Sequence, residues 1–319
     1  MTLVAGLDEA GYGPLLGPLV VAAAAYRLND GVDESALNDL VRDTAVLEHG
    51  LPTADSKALY HSGGSIARIE LSTLGHLHLL HGSAPDTLGG LLEHSVDPCL
   101  EEFDALPWYH EALAARPLPS VTTQQLIAER AAWHAENLAQ RGAQIADLVL
   151  APVPVPRFNA ITTPAGSKAH TLFETTARLI RHLVDTHPDE ELVIHVDRQG
   201  GRIHYGEPLS RAFPMAPLTT LHERTQESAY RLAWPGRAPV HIDFRVKADD
   251  ERAPVALASV AAKTLRELCM GVLNTWFTKQ IPGLAPSAGY GRDAQRFLLA
   301  VDRSVLESGA TRDDFVRCR

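Results

Sequence analysis

The sequence predicts an α/β fold, a mixed β-sheet flanked by helices, and three observations carry that expectation. Apolar, partly β-branched runs of strand length lie at residues 3–7, 19–26, 192–196 and 240–246. Helical periodicity is clear at 167–187 and again from Pro254 to about Trp276. These elements follow one another as strand, strand, probable strand, helix, strand, strand, helix, which lacks the regular alternation of an all-parallel sheet.

Residues 3–7 and 19–26 are separated by Gly and Pro and read as adjacent strands. Residues 15–25 have the apolarity of a signal-peptide core. They contain Pro18, however, lack a preceding basic region and follow the acidic pair Asp8-Glu9. The run is also far shorter than the roughly 20 residues of a membrane span, so no membrane partner is expected. Residues 68–80 alternate loosely through Leu71, Leu77 and Leu79 and predict a third strand, while 82–119 has mixed signals and no assignment. Thr122 or Thr123 caps a helix that reaches about Arg141 and stops at Gly142. Pro152, Pro154 and Pro156 mark an edge strand or a linker.

The helix at 167–187 places Leu172, Thr176, Ile180 and Leu183 on one face. The run 192–196 reads as a buried strand ending at Asp197, followed by Gly200-Gly201. Residues 240–246 alternate as Val240, Ile242, Phe244 and Val246, a half-buried strand. Pro254 occupies the first turn of a long helix, where proline is tolerated. Its apolar face is Leu257, Ala261, Leu265, Leu268, Val272 and Trp276. No fixed-period repeat and no clear boundary divides the chain. One domain is expected over 1–319, with an added or elaborated segment at about 82–160 and a C-terminal helical part at about 252–319.

Composition excludes several classes. At 319 residues, 45% hydrophobic and 21% charged, the chain is neither a disordered tail, a collagen nor a coiled coil. Cys99, Cys269 and Cys318 form no CxxC pair, so neither a zinc knuckle nor a disulfide framework is expected, and a reducing cytoplasm is the expected location. With 29 basic against 39 acidic residues the net charge is −10, which argues against broad electrostatic attraction to phosphates. No protein partner is implied.

The densest chemical signal is Gly6-Leu7-Asp8-Glu9-Ala10-Gly11-Tyr12-Gly13-Pro14, then Gly17-Pro18. Two acids stand where an apolar strand ends, and glycines crowd the following turn. Neighbouring strand side chains point to opposite faces, so Asp8 and Glu9 share one site only if the chain bends there; the bland alternative is a glycine-rich turn with solvated acids. Asp197 at the end of its strand and Asp249 in Lys247-Ala248-Asp249-Asp250 have similar settings. Carboxylates gathered from strand ends suit hard divalent cations; Asp250 reads better as a first-turn charge complementing the helix dipole. Ser259, Lys263, Arg266 and Met270 share a second face of the long helix. Its two cations suit either a phosphate or solvent. His76, His78 and His81 lack a further ligand for zinc and read as solvated or half-buried. Trp108-Tyr109 and Trp133-His134 read as packing aromatics.

Together these motifs resemble type 2 ribonuclease H, the ribonuclease HII family. The N-terminal Gly6-x-Asp8-Glu9-Ala10-Gly11-x-Gly13-Pro14-x-x-Gly17-Pro18 resembles the family's opening, and Asp55-Ser56-Lys57 its Asp-Ser-Lys element. Val196-Asp197 with Tyr205 and Phe213-Pro214 resembles the third-acid segment, and Lys247-Ala248-Asp249 followed by Ala258-Ser259-Val260-Ala261-Ala262-Lys263 and Arg266 the fourth. Gly289-Tyr290-Gly291 resembles the late glycine-tyrosine element, and all occur in family order.

The resemblance implies a ribonuclease H-like fold and an endonuclease that hydrolyses the RNA strand of RNA–DNA hybrids, leaving 5′-phosphate and 3′-hydroxyl ends. It implies two Mg²⁺ or Mn²⁺ ions on Asp8, Glu9, Asp197 and Asp249, roughly 3.5–4 Å apart. It assigns Lys57, Lys263 and Arg266 to phosphates, with Ser56 beside them. Tyr290 falls to the sugar and the backbone of Gly11, Tyr12 and Gly13 to the 2′-hydroxyl.

The chain departs from the family at Tyr12, which replaces the arginine of Gly-Arg-Gly, at Ser287-Ala288 in place of His-Lys, and at Glu267 in place of Asp. It is also longer between Lys57 and Leu192. Because Tyr12 is uncharged, a continuous hybrid is expected to be cut at least as well as a single embedded ribonucleotide. A catalytically weakened nucleic-acid-binding relative is the alternative, and another metal-dependent nuclease of the same fold is a third reading.

Overall fold

The computed structural model describes residues 1–61 and 64–318. Seven strands form one mixed sheet: β1 (Thr2–Ala10), β2 (Leu19–Leu28), β3 (Ala143–Val153), β4 (Glu191–Asp197), β5 (Leu218–Glu223), β6 (Glu227–Leu232) and β7 (Val240–Arg245). Their spatial order is β3-β2-β1-β4-β7-β6-β5. β1 runs antiparallel to β2 and parallel to β4, and β4 runs parallel to β7, so the central three strands point the same way. The expected mixed sheet flanked by helices is therefore present.

Each face of the sheet buries a separate apolar cluster. One face sends Val4, Val20, Ala22 and Ala24 against the long helix Ala253–Gln280 and its neighbours. The other sends Leu3, Ala5, Leu7, Val21 and Ile194 against the helix Lys168–Thr186. Leu172, Thr176, Ile180 and Leu183 of that helix are all buried, as their periodicity predicts, and the Ser167 hydroxyl accepts from Ala169 N at 3.2 Å to cap it. Thr123 caps Gln124–Gln140 in the same way at 3.1 Å, and Gly142 follows with φ +70°, the expected stop.

Residues 68–80 are not a strand. They belong to a helix, Ala67–His81, wedged between the long helix, Gln124–Gln140 and β3. Residues 69–77 are buried without a break, so no amphipathic period survives in the sequence to reveal the helix. A Cβ on Gly75 would stand 2.2 Å from Leu51 Cδ2, which explains a glycine in a helix interior. His76 and His134 are fully buried in this layer with rings 4.9 Å apart, and burial holds both imidazoles below their ordinary value; neither is solvated. The unassigned 82–119 stretch contains three short helices, Leu88–Leu92, Leu100–Asp104 and His110–Ala115, and the proline-rich stretch is the end of edge strand β3 leading into the helix Val155–Ala165. No helix among the described residues is long and apolar enough to cross a membrane.

Candidate functional site

β1 and β4 finish at the same edge of the sheet because they are parallel. Leu7 pairs with Val196, so Asp8 and Asp197 are each the next residue along. The β1 strand keeps its pairing with β2 through both acids to Ala10, which pairs with Val20, so the two share the site without a break in the ladder. Asp8 is buried and Glu9 half-buried, and Glu9 N donates to Asp8 Oδ1 at 2.7 Å. Beyond β7 the chain reverses at Lys247, whose φ of +57° lies in the left-handed region. The Ala248–Asp250 turn is clipped to β4 by Ala248 N, which donates to Asp197 Oδ1 at 2.9 Å, and this delivers buried Asp249 to the same edge. The long helix then starts hard against β1: a Cβ on Gly6 would meet Val255 N at 2.1 Å, so only glycine permits that approach.

The register of β1 with β4 and the clip from Ala248 to Asp197 bring the four acids to one edge, where their charges act on one another. Burial, then Glu9 and Asp197, holds the Asp8 carboxyl well above the usual carboxylate range. Burial, then Asp197 and Asp249, pushes Glu9 up to about 8. Asp249 rises to about 6 through burial and Asp197, and burial raises Asp197 as well. Lys57 is the opposing cation. Asp55 caps its short helix Ser56–Leu59, accepting from Lys57 N at 2.9 Å. Burial works against the ammonium, but Asp55, Asp249, Asp8 and Asp197 together hold it above its ordinary value. The Ser56 hydroxyl accepts from the Ser259 hydroxyl at 3.1 Å, tying this helix to the long one.

Such a donor set suits a hard divalent cation. It consists of oxygen ligands that desolvate and repel one another, and such a cation would turn that repulsion into attraction. Among the described residues, no three His, Cys, Asp or Glu side chains are arranged so that they could hold a metal ion. The carboxyls share the sheet edge.

The glycine-rich turn is fixed from behind. Gly11 and Gly17 have φ of +89° and +79°, and a Cβ on Gly11 would meet Arg266 Nε at 2.6 Å. Arg266 is 1% exposed, donates to Ala288 O at 3.0 Å and Glu267 Oε1 at 3.2 Å, and lies 5.3 Å from the Tyr290 ring centre. It is neither a solvated cation nor free for a phosphate, which corrects both sequence expectations; it positions Gly11 and Tyr290. Lys263 is half-buried and paired with Glu267 Oε1 at 3.0 Å, with its ammonium over the Tyr60 ring. Tyr290 is 45% exposed and stands beside Gly13, whose built Cβ would lie 3.7 Å from its Cε1.

Three residues not predicted from sequence also serve this edge. Arg317, 3% exposed, donates to the carbonyls of Gly11, Gly17 and Pro18. Lys168 lies over the Tyr12 ring, 4.7 Å from its centre. Arg202, which follows β4, lies over Phe173 and Tyr205. Isolated basic residues at ordinary spacing carry no sequence signal; only the fold brings them here.

No family model and no curated protein matches the chain. Among solved structures it is similar to a chain of the PCNA:RNase HII complex from Archaeoglobus fulgidus, with 17% identity, 99% of this chain and 94% of that chain covered, and a TM-score of 0.46. It is similar to ribonuclease H2 from Pyrococcus horikoshii OT3, with 15% identity, coverages of 98% and 92%, and a TM-score of 0.47. It is also similar to Bst-RNase HIII in complex with Mn²⁺, with 16% identity, coverages of 96% and 65%, and a TM-score of 0.44. Likenesses at this level do not place the chain in a family.

Proposed function

We propose that the chain is a metal-dependent endonuclease of the type 2 ribonuclease H kind, hydrolysing the RNA strand of RNA–DNA hybrids. One observation carries the reading: Asp8, Glu9, Asp197 and Asp249, drawn from three separate segments, converge with Lys57 at one sheet edge. A non-catalytic surface gains nothing from buried carboxylates facing phosphates. The chemistry a pair of Mg²⁺ or Mn²⁺ ions supplies when bound is water activation and neutralisation of the leaving oxygen, and the four acids are the residues that would hold them.

The remaining roles fall to the chain itself. Hydrolysis forms a bond from the water oxygen to phosphorus and breaks the bond from phosphorus to the 3′ oxygen. The ends are a 5′-phosphate and, after the 3′ oxygen takes up a proton, a 3′-hydroxyl. Lys57 provides a fixed cation for the phosphate beside the acids. The backbone of Gly11 to Gly13, held by Arg266 and Arg317, offers hydrogen-bonding groups to a 2′-hydroxyl, the group that separates RNA from DNA. Tyr290 presents an exposed ring for the neighbouring sugar.

Two end-labelled duplexes test this, one with a continuous RNA strand and one with a single embedded ribonucleotide, each with Mg²⁺ or Mn²⁺. Wild-type protein is expected to cut the continuous strand at least as well as the single ribonucleotide, since Tyr12 is uncharged. Asp8→Asn is expected to lose more than the ~10–100-fold typical of residues that only support a metal ligand. The alternative is a catalytically weakened nucleic-acid-binding relative, which the uncharged Tyr12 and Ala288 in place of the family's arginine and lysine favour. It predicts duplex binding with no cleavage by wild type.

A further inference from the structure

The chain carries 39 acidic residues, yet two cations beside the acid edge have no acidic partner. Among the described residues, neither Lys168 nor Arg202 forms an ion pair, and the Arg202 guanidinium forms no hydrogen bond, its Nη1 being buried without an acceptor. Both are held instead by aromatic faces. Lys168 Nζ lies 4.7 Å from the Tyr12 ring centre, and the Arg202 guanidinium 5.5 and 5.6 Å from those of Phe173 and Tyr205. An aromatic face fixes a cation but, unlike a carboxylate, leaves its full charge available to a ligand.

Their placement ties them to the site. Tyr12 lies between Gly11 and Gly13 of the turn that follows Asp8 and Glu9. A Cβ built on Gly200 would stand 3.7 Å from Tyr12 Cε1, so the loop that leaves Asp197 and carries Arg202 lies against that ring. Gln199 N donates to Tyr205 Oη at 3.1 Å, and Tyr205 N donates to Tyr230 Oη at 2.9 Å, which anchors the loop and its aromatic platform to β6. Lys168 opens the Lys168–Thr186 helix, whose Phe173 is one of the two rings under Arg202, so one helix ties both cations to the turn.

We infer that Lys168 and Arg202, set on the rings of Tyr12, Phe173 and Tyr205, form a cation pair that grips a phosphodiester of the nucleic-acid strand next to the acid edge. This rests on the nuclease reading and adds a positioning role to it. Gripping a phosphate fixes the strand's register and carries no sequence or sugar information. The pair therefore supplies charge at the Tyr12 position without reading a ribonucleotide junction.

The test is duplex binding by fluorescence anisotropy over a salt series, in the Asp8→Asn background so that the strand stays intact. Lys168→Met/Arg202→Met is expected to weaken binding of the hybrid and of plain DNA duplex alike. The slope of log K against log salt is expected to fall by about 1 for each phosphate that is no longer neutralised, and Lys168→Arg is expected to retain it. Lys168→Glu is made separately, because Arg202 packs on two rings and its replacement could disturb folding; this single change is expected to weaken binding and flatten the slope too. An unchanged slope in a folded variant, or a weakening confined to the hybrid, overturns the inference while leaving the nuclease reading intact. Failure of wild-type protein to bind any duplex overturns the nuclease reading, and the inference with it.

Discussion

Arg317 places a guanidinium in the interior without a carboxylate to balance it among the described residues. Burial first, and the charge of Arg266 second, pull it below its ordinary value, so its position is sustained by three carbonyls of the glycine-rich turn and by the Phe158 ring, 4.9 Å away. The neighbouring backbone joins the same strap, since Arg317 N donates to Leu15 O at 2.9 Å. Arg317→Met leaves those carbonyls buried and unpaired, at about 1–3 kcal/mol for each poorly compensated group. We expect a destabilisation on the order of 3 kcal/mol, read as a lower urea midpoint, together with weaker hybrid binding as the turn loosens. A variant with an unchanged midpoint would show that the strap contributes nothing. A lone arginine near the end of a chain has no pattern to recognise, which is why this residue is not legible in the sequence. The acids are legible because they stand at or just past apolar runs, whereas the close approach of the long helix at Gly6, where a side chain would strike Val255, appears only in the fold.

Among elements, edge strand β3 is fastened to the Lys168–Thr186 helix by a small titrating cluster. Asp147 accepts from His182 Nε2 at 2.8 Å, with His187 Nε2 at 3.5 Å. Burial alone would raise Asp147, but the hydrogen bond from His182 and the nearby His187 ring bring it from 3.8 to about 2. The hydrogen bond to Asp147 raises His182 above 6.5 in turn. The lowered acid contributes stability above its unfolded value of 3.8, which is lost as pH falls through about 2. The raised histidine contributes stability below 6.5, which is lost as pH rises through its folded value. An Asp147→Asn/His182→Gln double-mutant cycle in urea is therefore expected to show coupling on the order of 1–2 kcal/mol between those limits, fading on both sides. A coupling that stays flat with pH would remove the charged pair from the account.

The same scale shows where sequence patterns fail. The helix Ala67–His81 is buried nearly all round, so it lacks the polar face that distinguishes a helix from a strand. The hairpin of β5 and β6 escapes sequence reading for the opposite reason. β5 is the outer edge strand, its Thr219, Thr220 and Leu221 are exposed, and its residues show no apolar alternation. Helices with one apolar stripe and a capping Ser or Thr, at Lys168–Thr186 and Gln124–Gln140, are readable to within a residue or two because both signals agree there.

Across the whole molecule, net charge and site charge separate. The chain totals −10, and four of its acids lie at the sheet edge where divalent ions would offset them. Of the cations the motifs suggest, Lys57 lies beside the acids, but Arg266 is buried and Lys263 is paired with Glu267, while Lys168 and Arg202 lie over the rings of Tyr12, Phe173 and Tyr205. A binding face that engages few phosphates gives modest, salt-dependent affinity, and on the proposed reading specificity falls to the backbone of Gly11 to Gly13. Segments far apart in sequence meet because β1 and β4 are parallel neighbours and the long helix returns to β1 at Gly6. Spacing along the chain identifies those segments as a set but does not show them converging.

The most direct measurement follows a continuous RNA–DNA hybrid, labelled on either strand, through a time course with Mn²⁺, using wild-type protein beside Asp249→Asn. The account predicts internal cuts in the RNA strand alone, ending in 5′-phosphate and 3′-hydroxyl. They should vanish on chelation of the metal and fall by more than ~100-fold in the variant, beyond the range for residues that merely support a ligand. An intact RNA strand after incubation with folded wild-type protein, or cutting by Asp249→Asn at the wild-type rate, would contradict it.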